Sequence, residues 1–392
     1  MIASAPWQIH GRVNCHHLAL RLAESNRVLF VESPGLRAPR LGHGPDLAKV
    51  LRRLAAFAAG AGRKPRAVGD RLYVLSPIVL PWHGRPGVAA MNGRLLAGAC
   101  GRAIRRLGFR RPLLWIFLPS AAHVVGRLGE SAVIYHCTDD YAGNPGVNAA
   151  AIERLERRLL GEADLVFATS RPLADRLESG APGRVVCVPN VAETERFEQV
   201  PPPPADVAAL RRPVVGYVGN VASYMVDTAL VEGVARARPD WSIVLVGPLG
   251  VGDPSTRLGG LPACPNVHLL GPRAYEQIPA YVHAFDVCLV PFARNRVTEG
   301  ALPLKAVEYL AAGKPVVSRP LAALVAEPLA GVMRFADDAD GFVRAIEAGL
   351  RDNDAPAASA RREMARRYSW KRRFPEIQDH VETALQRRDR TV

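Results

Sequence analysis

Short apolar runs, rich in β-branched residues, alternate along this chain with stretches in which apolar positions recur every three or four residues. The runs Arg27–Glu32, Leu72–Ser76, Leu113–Leu118, Ala132–Cys137, Asp164–Thr169 and Arg184–Pro189 predict strands. Helical spacing fills the intervals, as in His17–Ser25 and Ala149–Leu160. The alternation restarts with Val214–Val218, Ser242–Val246, Val267–Leu270, Asp286–Pro291 and Pro315–Ser318, with a helix predicted near Asp227–Ala237 and Arg-rich terminal helices over 340–388. Repeated strand–helix alternation predicts an α/β protein whose parallel sheets are covered on both faces. Between the halves stand Pro201, Pro202, Pro203 and Pro204, a stiff extended segment through which no helix can pass. The predicted organisation is one doubly wound domain over 1–200, a Pro-rich linker over 201–213, a second such domain over 214–365 and a terminal helix over 366–392. Two like-built domains on a short linker make a cleft, and open α/β sheets bind ligands beyond the carboxyl ends of their strands.

The chain has 392 residues, 48% hydrophobic and 22% charged, a globular profile with room for two domains. Its six cysteines (15, 100, 137, 187, 264, 288) are scattered without a CxxC pair, which argues against zinc and against a disulfide framework and suits a reducing cytoplasm. Met1–Trp7 has neither a basic start nor an apolar core, so no secretory signal is predicted. No uncharged apolar run is long enough to span a membrane. The net charge of +14 calls for an acidic partner: nucleic acid, anionic lipid or phosphorylated substrates. Nucleic acid is disfavoured, because no recognised motif appears and the 6% aromatic content shows no stacking pattern. Two basic stretches, 49–66 and 93–111, interleave arginines with apolar residues. Each suits either an anionic membrane surface or an ordinary packed helix with a solvated cationic face.

The densest chemistry runs from Asp286 to Ser318. A strand ends in a polar loop with Arg294, Arg296, Thr298 and Glu299, and a helix is predicted to start at Pro303 and stop at Gly313. Lys305 and Glu308, three apart, share one helical face. A helix start facing a basic, hydroxyl-bearing loop suits a phosphate, and a carboxylate one turn deeper can accept two hydrogen bonds from a diol. The alternative is a solvated Lys–Glu pair on an ordinary crossover helix. Upstream, Val214–Val218 enters a turn at Gly219–Asn220, where glycine lets backbone amides approach a ligand. In the first half, His136, Asp139 and Asp140 sit at the carboxyl end of the Ala132–Cys137 strand, where carboxylates serve either as acid–base groups or as caps for the next helix. Asn14, His16 and His17 open the first helix.

Glu308–Val317 (EYLAAGKPVV) closely resembles the donor-site helix of GT-B glycosyltransferases, and the Pro303–Glu308 lead-in looks like the branch that includes teichuronic-acid and exopolysaccharide enzymes. The resemblance covers 213–320 most strongly. It implies two Rossmann-like domains, a final helix crossing back to the first domain from near Tyr368–Ser369–Trp370, and transfer of a sugar from a nucleotide-diphosphate donor to a glycan, lipid-linked or small-molecule acceptor. It further implies retention of anomeric configuration and no metal or other cofactor. Donor contacts are carried over to Gly219, Asn220, Gly271, Arg273, Thr298, Lys305 and Glu308, catalytic roles to His136, Asp139 and Glu299, and the acceptor side to Asn14, His16 and His17. The chain departs from the pattern twice: Asn220–Met225 lacks the Arg and Lys that grip phosphates in many relatives, and Glu299 lies one residue earlier than the family's first glutamate. A GT-B scaffold without catalysis and a sugar-nucleotide 2-epimerase are the alternatives on the same fold.

Overall fold

The computed structural model describes residues 1–8, 12–35, 64–80, 87–253 and 255–390. Most of the basic stretch 49–66 lies outside the described residues. The chain forms two compact units, one of Met1–Thr169, Leu173–Val188 and Gln378–Val392, the other of Ser170–Pro172 and Pro189–Ile377. Pro201–Pro204 lie within the second unit, because Ala192, Phe197 and Val207 on either side of them belong to its core.

The first unit holds β1 (Val28–Val31), β2 (Arg66–Ala67), β3 (Leu72–Leu75), β4 (Leu113–Ile116), β5 (Ala132–Cys137), β6 (Leu165–Ala168) and β7 (Val185–Cys187). These form two groups, β1-β3-β2 and β4-β5-β6-β7, parallel except for β2 against β3. Residues 1–3 join the groups. Ile2 bridges both Val31 and Ile116, with Ile2 N–H on Trp115 O at 2.7 Å and Phe117 N–H on Ile2 O at 3.0 Å. That extended segment is too short to show an alternating pattern, and the sequence reading missed it.

The second unit holds β8 (Val214–Val218), β9 (Ser242–Val246), β10 (Val267–Gly271), β11 (Val287–Val290), β12 (Val316–Ser318) and β13 (Arg334–Phe335), ordered β10-β9-β8-β11-β12-β13 and all parallel. β8, β9, β11 and β12 are almost wholly buried, as expected of strands covered on both faces. The helix Thr228–Ala237 leaves β8, capped by the Asp227 carboxylate, which accepts from Leu230 N–H at 2.9 Å. Among the described residues no helix is long and apolar enough to cross a membrane.

His136 marks a difference from expectation. It lies inside β5 and is 2% exposed, packed on Phe117 (ring centroids 4.8 Å apart), Phe167 (5.5 Å) and Trp115 (6.0 Å). Neither ring nitrogen has a hydrogen-bond partner among the described residues. Burial alone lowers its pKa to about 3. The imidazole is therefore neutral in the folded state and charges near pH 6.5 in the unfolded chain. Its stabilising contribution is full above that value and is lost as pH falls toward 3. Linkage makes the loss about 2 kcal/mol between pH 7 and pH 5. His136→Leu is expected to show a correspondingly shallower decline in urea-unfolding free energy over that interval. Identical declines in both proteins would contradict the buried neutral imidazole.

Candidate functional site

In the second unit the strand order reverses at β8. From β8 the chain steps outward to β9 and β10, while β11, paired to the other side of β8, leads on to β12 and β13. Such a switch point leaves a crevice at the carboxyl edge of the sheet. Gly219 ends β8 there with φ +148°, and its N–H bonds Val246 O at 2.8 Å. Gly247 ends β9 with φ +144°, and its N–H bonds Gly271 O at 2.9 Å. A Cβ on Gly247 would fall 1.9 Å from Gly219 O, and one on Gly219 would fall 2.8 Å from Tyr217 Oη and 3.0 Å from Lys305 Cε. Only side-chain-free residues let these two backbones and the lysine stem meet.

The lysine comes from the helix Leu304–Ala311. Pro303 stands at the N-cap rather than inside the first turn, so the helix starts one residue later than the sequence suggested. The preceding loop is pinned by Ser170 Oγ–H on Gly300 O (2.5 Å) and Asn190 Nδ2–H on Leu302 O (2.7 Å). At its far end Gly313 takes φ +74°, its N–H bonds Leu310 O and that of Lys314 bonds Tyr309 O, a Schellman stop. Tyr309 ties the middle of the helix to β8, its Oη accepting from Val218 N–H at 2.7 Å. Lys305 and Glu308 are thus held on a helix clamped at start, middle and end. The Lys305 ammonium lies 4.5 Å from the Phe292 ring centroid and 5.1 Å from that of Tyr217. Burial lowers its pKa to about 8, against the opposing charge of Glu308. Burial likewise raises the pKa of Glu308, opposed by the charges of Lys305 and Arg196. Arg196 stacks on Tyr275 at 3.7 Å, and Tyr275 Oη–H donates to Glu193 at 3.3 Å. Together these place a cation beside the Gly219 turn, with a carboxylate one helical turn away.

Residues 212–352 match the family described as glycosyl transferases group 1. That stretch is a group 1 glycosyltransferase domain. The chain is 27% identical, over 288 residues (69% of this chain and 72% of the relative), to TuaH of Bacillus subtilis (strain 168), which carries the name of a teichuronic acid biosynthesis glycosyltransferase. Among solved structures it resembles sucrose-phosphate synthase from Thermosynechococcus elongatus, with TM-score 0.66 and 17% identity over 94% of this chain and 93% of the other. It also resembles Anabaena HepE in complex with UDP, with TM-score 0.63 and 16% identity over 96% and 98%. The fold is GT-B.

The structure gives other donor-side candidates of this glycosyltransferase local partners. Asn220 pins the next loop, with Nδ2–H on Val251 O (2.7 Å) and Oδ1 accepting from Val251 N–H (3.1 Å), so its side chain is committed to the turn. Thr298 is fully buried and donates to Ala293 O at 2.5 Å while accepting from Asn295 N–H at 3.1 Å; it closes a capping box. Glu299 Oε2 accepts from Ala322 N–H at 3.0 Å, at the start of the helix Ala322–Val325. Arg273 binds Tyr281 Oη, Leu270 O and Asp206. Arg294 pairs with Asp337 at 2.5 Å. Lys305, Glu308 and the turn at Gly219 are the donor-side candidates that gather at the switch point, whereas Gly271 ends the edge strand β10.

In the first unit Asp139 lies half-buried just past β5, its Oδ2 accepting from Thr138 Oγ1–H at 3.2 Å. Burial raises its pKa to about 6, partly offset by that hydrogen bond. Beneath it Arg176 forms a two-pronged ion pair with buried Glu156, which also accepts from Tyr135 Oη at 2.7 Å, and lies 3.9 Å from Asp140. Asn14, His16 and His17 are buried on the helix Asn14–Ser25. His16 is locked as the Nε2–H tautomer, Nδ1 accepting from Val13 N–H (3.2 Å) and Nε2 donating to Pro6 O (2.8 Å), with Phe30 stacked on it. Its nitrogens serve local packing rather than an open acceptor face. Gly247, Tyr309, Tyr217 and Phe292 were missed in the sequence, although Gly247 follows its strand as plainly as Gly219 does. Tyr309→Phe leaves the half-buried Val218 N–H without its acceptor and is expected to cost about 1 kcal/mol in urea unfolding. An unchanged midpoint would show that the tyrosine does not hold the helix to β8.

Proposed function

We propose that this glycosyltransferase takes its sugar from a nucleoside diphosphate donor, without a metal or other cofactor, and passes it with retention to a glycan or lipid-linked acceptor of a cell-surface polysaccharide. The observation that carries the donor assignment is Lys305 held over the Gly219 turn with Glu308 one turn along. In this reading the ammonium and the helix start face the diphosphate, whose charge grows as the glycosidic bond breaks; pre-aimed donors at developing charge are usually the largest catalytic contribution. Lys305 stands in for the phosphate-gripping pair that Asn220–Met225 lacks. Glu308, which closes no ion pair among the described residues, accepts the two hydroxyls of the ribose. UDP bound to HepE and the name of TuaH support the donor class and the polysaccharide setting. A lipid-linked acceptor brings the enzyme to an anionic membrane surface, in keeping with its net charge of +14. The unpaired cysteines fit the cytoplasmic address that a nucleotide-sugar donor requires. Asp139 keeps an inverting route in play, since a carboxylate with a pKa of about 6 suits a general base near neutral pH.

The test is a thermal-shift screen with UDP-, GDP-, dTDP- and ADP-sugars on the wild type, Lys305→Ala, Lys305→Arg and Glu308→Ala. One nucleotide class is expected to stabilise the wild type, with the shift reduced or abolished in both alanine variants. Because the ammonium of Lys305 must be charged to hold phosphate, wild-type affinity should be flat below pH 8 and fall by up to about tenfold per unit above it. Any affinity retained by Lys305→Arg should lack that fall. Equal shifts in all four proteins would remove the donor assignment, and no shift with any sugar would favour a scaffold over an enzyme.

A further inference from the structure

We infer that the helix Val88–Arg106 and the arginines that follow it form a docking face for an anionic lipid bilayer. The inference gives residues to one part of the proposed function, the membrane surface, and stands independently of the donor site. No Asp or Glu occurs between Asp70 and Glu130, a run with nine arginines. The helix buries Asn92, Gly93, Leu96, Ala97, Cys100 and Ala103 against its own unit. Gly93 makes that contact close, since a Cβ there would fall 2.3 Å from His123 Cβ. The opposite face therefore points outward, and Met91, Arg94, Leu95, Gly98, Arg102 and Arg105 all lie exposed on it at spacings of mostly three or four residues. Arg106, Arg110 and Arg111 extend the exposed cationic surface. Among the described residues no carboxylate pairs with any of these six arginines.

Ordinary solvated helices carry carboxylates among their arginines; this one has none. Met91 and Leu95 are 43% and 45% exposed, two large apolar side chains one turn apart at one end of the arginine row. Arginines that meet headgroup phosphates beside a pair of apolar side chains that enter the acyl boundary are the chemistry of an interfacial helix. A soluble polyanion would satisfy the arginines and leave Met91 and Leu95 without a role. The other interleaved apolar residues are not available: Leu96 is in the core, and Ile104 and Leu107 pack against it.

The full chain is sedimented with vesicles of neutral lipid and with vesicles containing about one third phosphatidylglycerol at near-physiological salt, where surface charge still acts within a Debye length. Binding is expected on the anionic vesicles and at least tenfold weaker on the neutral ones. The triple variant Arg94→Glu/Arg102→Glu/Arg105→Glu should lose at least tenfold in affinity, and Met91→Ser/Leu95→Ser severalfold, both with wild-type thermal midpoints because every altered side chain is exposed. Arg110→Glu/Arg111→Glu, beyond the helix, should weaken binding in the same direction even if the triple variant folds poorly. Wild-type binding by the arginine variants would overturn the proposal. So would unchanged binding by the serine variant together with full competition by polyphosphate, which would mark a general polyanion surface.

Discussion

The candidate site depends on how closely two pieces of backbone and one helix can meet at the carboxyl edge of the second sheet. Gly219 and Gly247 touch main chain to main chain, and the hydroxyl of Tyr309 fixes the helix Leu304–Ala311 to the last residue of β8. Any side chain at either glycine would push β8 from β9 or displace the stem of Lys305. The cation above the turn and the carboxylate one helical turn away follow from that contact. Their shifted pKa values follow in turn, since both groups are partly buried and, among the described residues, neither closes an ion pair. Titratable groups perturbed in this way, beside a strand-order reversal, are what make this edge of the sheet the candidate site.

The first unit uses its polar groups differently. Glu156, Arg176 and Tyr135 form a network under the loop that carries Asp139 and Asp140, in which the buried Glu156 carboxylate accepts from both the guanidinium and the tyrosine hydroxyl. That network lies under the loop from which Asp139 emerges, its carboxylate accepting from the neighbouring Thr138 hydroxyl. His136 is the exception, a neutral ring in an aromatic cluster with neither nitrogen bonded among the described residues. Its family-implied contact with a sugar finds no support in that setting.

Much of the fold was legible in the chain. Buried parallel strands show as continuous β-branched runs, and the turn at Gly313 and the cap at Asp227 are written in residue types. Lys305 and Glu308 stood out because helical spacing places them on one face and because the surrounding motif is specific. Less was legible where tertiary contacts decide. Strand residues alternate between faces, so position at a strand's end did not tell that His136 points into the aromatic core while Asp139 reaches the edge. Thr298 and Glu299 carry the residue types of a binding loop but are engaged by a capping box and a neighbouring helix start. Asn220 looks available in the sequence and is bonded twice to Val251 in the fold. Tyr309 gives no sign in the sequence that its hydroxyl, and not its ring alone, ties two elements together.

The most direct measurement is a crystal structure of the chain soaked with the nucleoside diphosphate sugar that stabilises it best. The diphosphate is expected over Gly219, within hydrogen-bonding reach of the Lys305 ammonium, with the ribose hydroxyls on the Glu308 carboxylate. A nucleotide bound elsewhere, with Lys305 still packed on Tyr217 and Phe292 and no ligand at Glu308, would contradict the account.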